Sequence, residues 1–158
     1  SVWRACGAAR AVSGGVARGR GLGDPFAAGR ADFWGRDRAG RTAGNWRPQR
    51  ILELAPGRCD LALAISQRLP DAVITGADFS LEMLAIARAK GLRDTVVADA
   101  LRLPFSVGTF DCVTVAFGLR NMADWSVALH EMARVLIPQG HLLVLDFSRP
   151  ALPARTLS

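Results

Sequence analysis

Residues Phe110 to Pro150 read FDCVTVAFGLRNMADWSVALHEMARVLIPQGHLLVLDFSRP, and this stretch decides the fold. Two apolar runs, VTVAF and LLVL, are joined by a polar tetrapeptide and an amphipathic segment. A short continuous apolar run is what a parallel strand covered on both faces requires. Between the runs, Ala128, Leu129, Met132 and Val135 recur at helical spacing, which predicts a helix over Trp125–Leu136 with those residues inward. Strand, helix and strand in that order form a right-handed crossover unit. The tetrapeptide Gly118-Leu119-Arg120-Asn121 then emerges at the carboxyl end of the first strand, where open α/β sheets bind ligands.

Outward from this stretch the same alternation continues. Strands are expected over Arg50–Ala55, Val73–Ala77, Thr95–Ala98, Phe110–Phe117 and His141–Phe147. A helix over Leu61–Leu69 is expected to be capped by Asp60, and a second to run from a Ser80 cap to about Lys90, with Met83, Leu84 and Ala87 on one face and Gly91 as its stop. Alternating strands and helices of this length imply an α/β fold with a mostly parallel, Rossmann-like sheet.

Charge divides the chain. Residues 1–50 hold 10 Arg against Asp24, Asp32 and Asp37, a balance of +7, whereas residues 51–158 hold 10 basic and 11 acidic residues, a balance of −1. The first third also carries 10 of the 16 glycines and no sustained period, so residues 1–46 read as a poorly ordered or degraded basic segment, 47–150 as the core and 151–158 as a tail. An Arg-rich leader suits a transit peptide or a nucleic-acid arm only with more Ser, Lys or amphipathic helix than is present, and no nucleic-acid partner is expected. Cys6, Cys59 and Cys112 are odd in number and far apart, which fits a reduced, cytoplasmic compartment. No apolar run approaches the roughly 20 residues that span a bilayer, so membrane contact is expected to be peripheral at most. His130 and His141 lack partners at ligand spacing, and no metal site is expected. Trp125 reads as a packing residue at a helix start.

A ligand site is legible at three strand ends. Glu53-Leu-Ala55-Pro-Gly57-Arg-Cys59-Asp60 is a turn between the first strand and its helix, of the kind that brings backbone close to a ligand, with Gly57 at its centre. Asp78 follows Gly57 by 21 residues at the end of the second strand, where an acid can bind two ribose hydroxyls. Phe79 beside it can pack on an adenine. Dinucleotide-binding domains place an acid there, so Asp78 alone does not identify the ligand.

The chain resembles the S-adenosylmethionine (SAM) dependent C-methyltransferases that methylate the ring of menaquinone and ubiquinone precursors. Their FGLRN and RVLxPGGxLxxLEFSxP patterns have counterparts at Phe117–Asn121 and Arg134–Pro150, and their LPF at Leu103–Phe105. Their acidic-x-small-x-Gly-x-Gly loop is matched at Glu53, Ala55 and Gly57. Cys59 stands where they have glycine, so its side chain is expected to crowd a close-approach position. The resemblance covers about residues 47–150. It implies SAM as cofactor, with Asp99 in Ala98-Asp99-Ala100 accepting from the adenine amino group, and a prenylated quinol as substrate. It further implies Arg120 as stabiliser of a developing phenolate and Asn121 as the residue orienting it. The family fold continues with further strands, one antiparallel beside the fifth, so here the sheet is expected to lack its last strands. The fifth strand would then be an exposed edge, open to a second copy of the chain. Other readings are a non-catalytic relic or partner subunit that keeps the core, and an NAD-binding domain, for which the loop lacks GxGxxG.

Overall fold

The computed structural model describes residues 10–13, 40–41, 43–57 and 59–145, with Arg10–Ser13 and Arg120 as backbone only. The rest of the basic segment including Cys6, then Arg58, Asp146 and Phe147 of the fifth expected strand, and the 151–158 tail lie outside the described residues.

Six parallel strands form one sheet: β1 (Arg10–Ser13), β2 (Arg50–Leu54), β3 (Val73–Asp78), β4 (Asp94–Val97), β5 (Phe110–Ala116) and β6 (Leu136–Leu145), in the spatial order β1-β6-β5-β2-β3-β4. Among the described residues, helices α1 (Asp60–Ser66), α2 (Leu81–Ala89) and α3 (Trp125–Val135) connect strands from β2 onward, and residues 40–41 and 43–46 ahead of β2 are also helical. The apolar runs read as doubly covered strands because successive residues serve opposite layers. Ile51, Cys112 and Leu143 face a layer with Leu61 and Ile65 of α1 and Ala87 of α2. Leu52, Val113 and Leu142 face a layer with Ala128, Met132 and Val135 of α3. Each fully buried aliphatic side chain contributes about 1.5–3 kcal/mol.

The helix ends follow their local chemistry, with one correction. Ser80 Oγ accepts from the Met83 amide at 3.3 Å. At the other end of α2, Gly91 takes φ 109°, its amide donates to Arg88 O and the Leu92 amide donates to Ala87 O, a Schellman stop. Asp124 caps α3 by accepting from Ser126 and Val127. Asp60, expected as a cap, is instead the first helical residue of α1. Cys59, left-handed at φ 62°, occupies the cap position with no side-chain bond, and the Asp60 carboxylate accepts from Lys90 Nζ at 3.0 Å, tying the start of α1 to the end of α2.

Two further expectations change. The strand expected at His141–Phe147 is not the edge of the sheet, because Arg10–Ser13 pairs with His141–Val144 and its backbone takes the hydrogen bonds an edge would leave open. This strand also begins earlier, at Leu136, which pairs with Phe110; the next partner pair is Cys112 and His141, so residues 137–140 bulge outward opposite Asp111. Gln139 is left-handed there (φ 66°), and Gly140 is crowded, since a Cβ on it would lie 2.9 Å from Leu136 Cδ2 and 3.0 Å from Ile137 O. Trp125, expected to pack, is 53 % exposed, because the inward stripe of α3 begins only at Ala128.

Strand order fixes where a ligand can sit. From β2 the chain proceeds to β3 and β4 on one side, then crosses back to β5 and β6 on the other, so the order reverses between β2 and β5. The chain leaves both strands at a single crevice. Ala55 follows β2 and Gly118 follows β5 by two residues, and a Cβ on Gly118 would lie 2.7 Å from Ala55 Cβ and 3.3 Å from Val115 Cγ2. Gly118→Ala should therefore destabilise the fold by roughly 1–3 kcal/mol through overpacking, and Ala55→Gly in the same chain should recover most of that loss. Urea unfolding of the two single variants and the double variant measures the coupling; purely additive effects would contradict the contact.

Candidate functional site

Four chain segments line a cleft of about 650 Å³ at the carboxyl ends of the strands. That size lies within the roughly 300–1,000 Å³ of cofactor and ligand clefts.

The first segment is the turn from β2 to α1. Ala55, Gly57 and Cys59 all have positive φ (50°, 51° and 62°), so every second residue is left-handed and only one of the three is glycine. Each of the other two costs about 1–2 kcal/mol of backbone strain, of the kind that persists where surrounding structure over-determines it. The Ala55 amide donates to Ala77 O at 2.8 Å and the Cys59 amide to Pro56 O at 2.7 Å, which hold the turn shut. Ala55 and Gly57 line the cleft. Cys59 does not: its side chain is fully buried in the layer of Ile51, Leu61 and Ile65. The expected crowding by Cys59 is thus corrected, for the thiol turns into the core and the penalty lies in its backbone. Burial pushes this thiol up to about 12, with the Glu53 charge adding to the effect, so it is a neutral apolar group at physiological pH. Cys112 is likewise pushed up to about 12 by burial, with Asp111 contributing. Glu53 is 1 % exposed and is not on the cleft wall; it sits behind the turn, level with Thr114 of β5.

The second segment leaves β3. Asp78 is 8 % exposed and lines the cleft, and its Oδ1 accepts from the Ser80 amide at 2.9 Å, which fixes the carboxylate's rotamer. Phe79 also lines the cleft but is 83 % exposed, a ring largely open to solvent. The third segment follows β4. Asp99 Oδ1 accepts from the Leu101 amide at 2.9 Å and Asp99 O from the Arg102 amide at 3.0 Å, a tight turn that holds Asp99, Ala100 and Leu101 on the wall.

The fourth segment follows β5. Phe117 is left-handed (φ 59°), a rare state for an aromatic residue, and its amide donates to Leu145 O at 2.7 Å. Leu119–Asn121 then form a 3-10 turn closed by the Asn121 amide donating to Gly118 O, which places Asn121 on the wall and exposed. Arg120 lies in the same turn.

Seven of the sequence-derived candidates therefore converge: Ala55, Gly57, Asp78, Phe79, Asp99, Ala100 and Asn121. Ser80, Met83, Leu101, Phe117 and Met122 also line the wall without having been singled out for it. Met83 reads as an inward helix residue because cleft and core lie on adjacent faces of α2, and no sequence signal marks a left-handed phenylalanine. Among the described residues the wall carries two carboxylates and no Lys or Arg side chain. The two carboxylates can accept hydrogen bonds from hydroxyl and amino groups of a ligand.

Comparison with known proteins accords with this geometry. Residues 24–157 match the model of the ubiE/COQ5 methyltransferase family. A demethylmenaquinone methyltransferase of Thermus thermophilus is 52% identical over 125 residues, covering 76% of this chain and 57% of the relative. The ubiquinone/menaquinone biosynthesis C-methyltransferase UbiE of Geotalea daltonii is 44% identical over 109 residues, covering 64% of this chain and 46% of the relative. The chain thus spans about half the length of the curated relatives it matches. Among solved structures, a SAM dependent methyltransferase from Aquifex aeolicus superimposes with a TM-score of 0.63 at 19% identity, over 82% of this chain and 73% of that one, a likeness of fold. The cyclase SpnF superimposes with a TM-score of 0.59 at 29% identity, over 68% of this chain and 43% of that one, so the scaffold by itself does not dictate the reaction. Strand order, cleft and sequence agree, and the chain belongs to the ubiE/COQ5 methyltransferase family.

Proposed function

We propose that the cleft binds SAM and that this chain carries the cofactor half of an enzyme that methylates a ring carbon of a prenylated quinol in menaquinone or ubiquinone biosynthesis. The observation that carries the reading is the convergence of Gly57, Asp78 and Asp99 on one wall at the point where strand order reverses. Asp78 suits ribose hydroxyls in either class of cofactor, whereas the turn after β2 lacks the GxGxxG that holds a pyrophosphate, and Asp99 is placed to accept from an adenine amino group. The family's relatives, by their names, use this fold for that chemistry.

Bound there, SAM supplies a methyl group already activated by its sulfonium. The chain's residues supply position. Asp78, fixed by Ser80, accepts from two ribose hydroxyls. Asp99 accepts from the adenine amino group, with Ala100 leaving room beside it, and Phe79 covers the ring from the mouth. Gly57 and the left-handed Ala55 let the backbone approach the amino-acid end, while Glu53 buttresses the turn from behind. A ring carbon is a poor nucleophile until a neighbouring hydroxyl loses its proton and the charge delocalises. Arg120, permanently cationic, stabilises that oxyanion, and Asn121 on the wall orients it. No described helix is long and apolar enough to cross a membrane, and a lipid-soluble quinol is met by peripheral contact. The family match and the names of the relatives favour this reading over a non-catalytic relic.

Two outcomes test the assignment. Asp78→Ala removes two charge-assisted hydrogen bonds and should weaken SAM binding by about 1.5–3 kcal/mol in a calorimetric titration; unchanged affinity would remove Asp78 from the site. Arg120→Lys should bind SAM as the parent does yet turn over roughly a hundredfold more slowly, because an ammonium keeps the charge but not the planar fork that holds an oxyanion. The assay needs a reduced quinol acceptor and the chain joined to the segments its longer relatives possess. Turnover at the parent rate would assign proton handling to another residue.

A further inference from the structure

We propose that Glu131 and Arg134 of α3 are a positioning pair that sets the Asp99 wall of the cleft, and through it the preference for an adenine over a base lacking the exocyclic amino group. The inference rests on the cofactor reading above and concerns residues that do not touch the cleft.

The segment after β4 leaves an edge strand, so only one side of it has a neighbouring strand. Its first half is held by itself: the Asp99 turn closes through the Leu101 and Arg102 amides. The backbone of its second half is hydrogen-bonded from α3. The Leu103 amide donates to Glu131 Oε2 at 2.7 Å. Arg134 Nη2 donates to Leu103 O at 3.0 Å and Nη1 to Phe105 O at 2.8 Å. The pair is locked internally, with Arg134 Nε donating to Glu131 Oε1 at 2.7 Å and Nη2 to Oε2 at 2.8 Å. One guanidinium fork and one carboxylate thus satisfy both backbone groups of Leu103 and the carbonyl of Phe105, across Pro104, which has no amide to offer. The side chains are 18% and 33% exposed, so water competes only in part. Apolar contacts lock the same segment: Leu103 is buried, and the Phe105 ring meets Phe110 edge-on at 4.9 Å. The hydrogen bonds from Arg134 hold the Glu131 carboxyl below the usual carboxylate range, with the Leu103 amide adding to the effect against the opposing cost of burial.

What makes this more than a structural clamp is where α3 begins. Met122 and Ala123 line the opposite wall of the cleft, Asp124 caps the helix, and Glu131 and Arg134 lie in its later turns. A single rigid helix is therefore bonded to the segments on both sides of the cofactor. Asp99 is four residues from Leu103, joined to it through a closed turn, so a shift of Leu103 displaces the carboxylate that would read the adenine amino group. Hydrogen-bond discrimination of that kind is lost with displacements of about 1 Å.

The test measures S-adenosylhomocysteine and its inosine analogue, which lacks the exocyclic amino group, against the parent chain, Arg134→Lys and Glu131→Gln. Lysine keeps the charge but cannot bridge two carbonyls and a carboxylate together. The parent should favour the adenosine compound by about tenfold or more. In Arg134→Lys the adenosine compound should lose about that factor while the inosine compound changes little, so the preference collapses with both variants still showing cooperative thermal unfolding. Glu131→Gln, which keeps one acceptor for the Leu103 amide, should show a smaller loss in the same direction and carries the test if the lysine variant does not fold. Equal weakening of both compounds, or a preserved preference, would overturn the positioning role while leaving the cofactor reading intact. Failure of the parent chain to bind either compound would overturn the cofactor reading, and this inference with it.

Discussion

The absence of a side chain at Gly118 is the constraint on which the site depends. At the reversal point of strand order, the chain leaves β2 and β5 side by side, and Ala55 occupies the space that any larger residue at 118 would need. That contact brings the turn after β2 and the FGLRN turn after β5 together as the floor of one cleft. The remaining wall segments, after β3 and β4, follow from the same order because each successive strand on that side ends at the same level. A cofactor lying across these ends meets the four segments in turn.

Strain and charge are then distributed unevenly. The left-handed Ala55, Cys59 and Phe117 all flank the reversal point, where packing on both sides holds them against their preferences. Arg47 (φ 50°), just before β2, and Gln139 are counterexamples at the other end of the sheet, the latter on a bulge where Gly140 and the Asp111 backbone crowd the turn. The Asp111 carboxylate accepts from the amides of Gln49 and Arg50 and so fixes the entry to β2. Among the described residues, the acids that line the cleft are Asp78 and Asp99, each with one oxygen bonded to a nearby amide and thereby held in one orientation. The buried thiols add no negative charge, since burial keeps both protonated.

Much of this was legible in the sequence because it is local. The runs VTVA and LLVL, the Ser80 cap and the Gly91 stop are written in neighbouring residues and lie where they were read, whereas Phe117, read as the last strand residue, leaves the strand with left-handed backbone. The acids at strand ends were legible for the same reason. What failed depended on distant partners or on backbone sign. Asp60 reads as a cap until Lys90, 30 residues away, is known to hold its carboxylate. The edge of β6 reads as open because nothing in Arg10–Ser13 announces a strand with a partner more than 100 residues later. Cys59 reads as an obstruction because sequence shows the missing glycine but not the direction of the thiol. The clamp from Glu131 and Arg134 was invisible since its targets are backbone atoms about 30 residues away.

Hydrogen exchange of the chain with and without S-adenosylhomocysteine tests the central claim most directly, because it reports where the ligand sits without requiring turnover. The account predicts slowed exchange at amides of 55–57, 79–80, 99–101 and 117–122, with the opposite, amino-terminal ends of the strands unchanged. Binding with protection only at those opposite ends, or saturating ligand with no protection anywhere in the four segments, would contradict it.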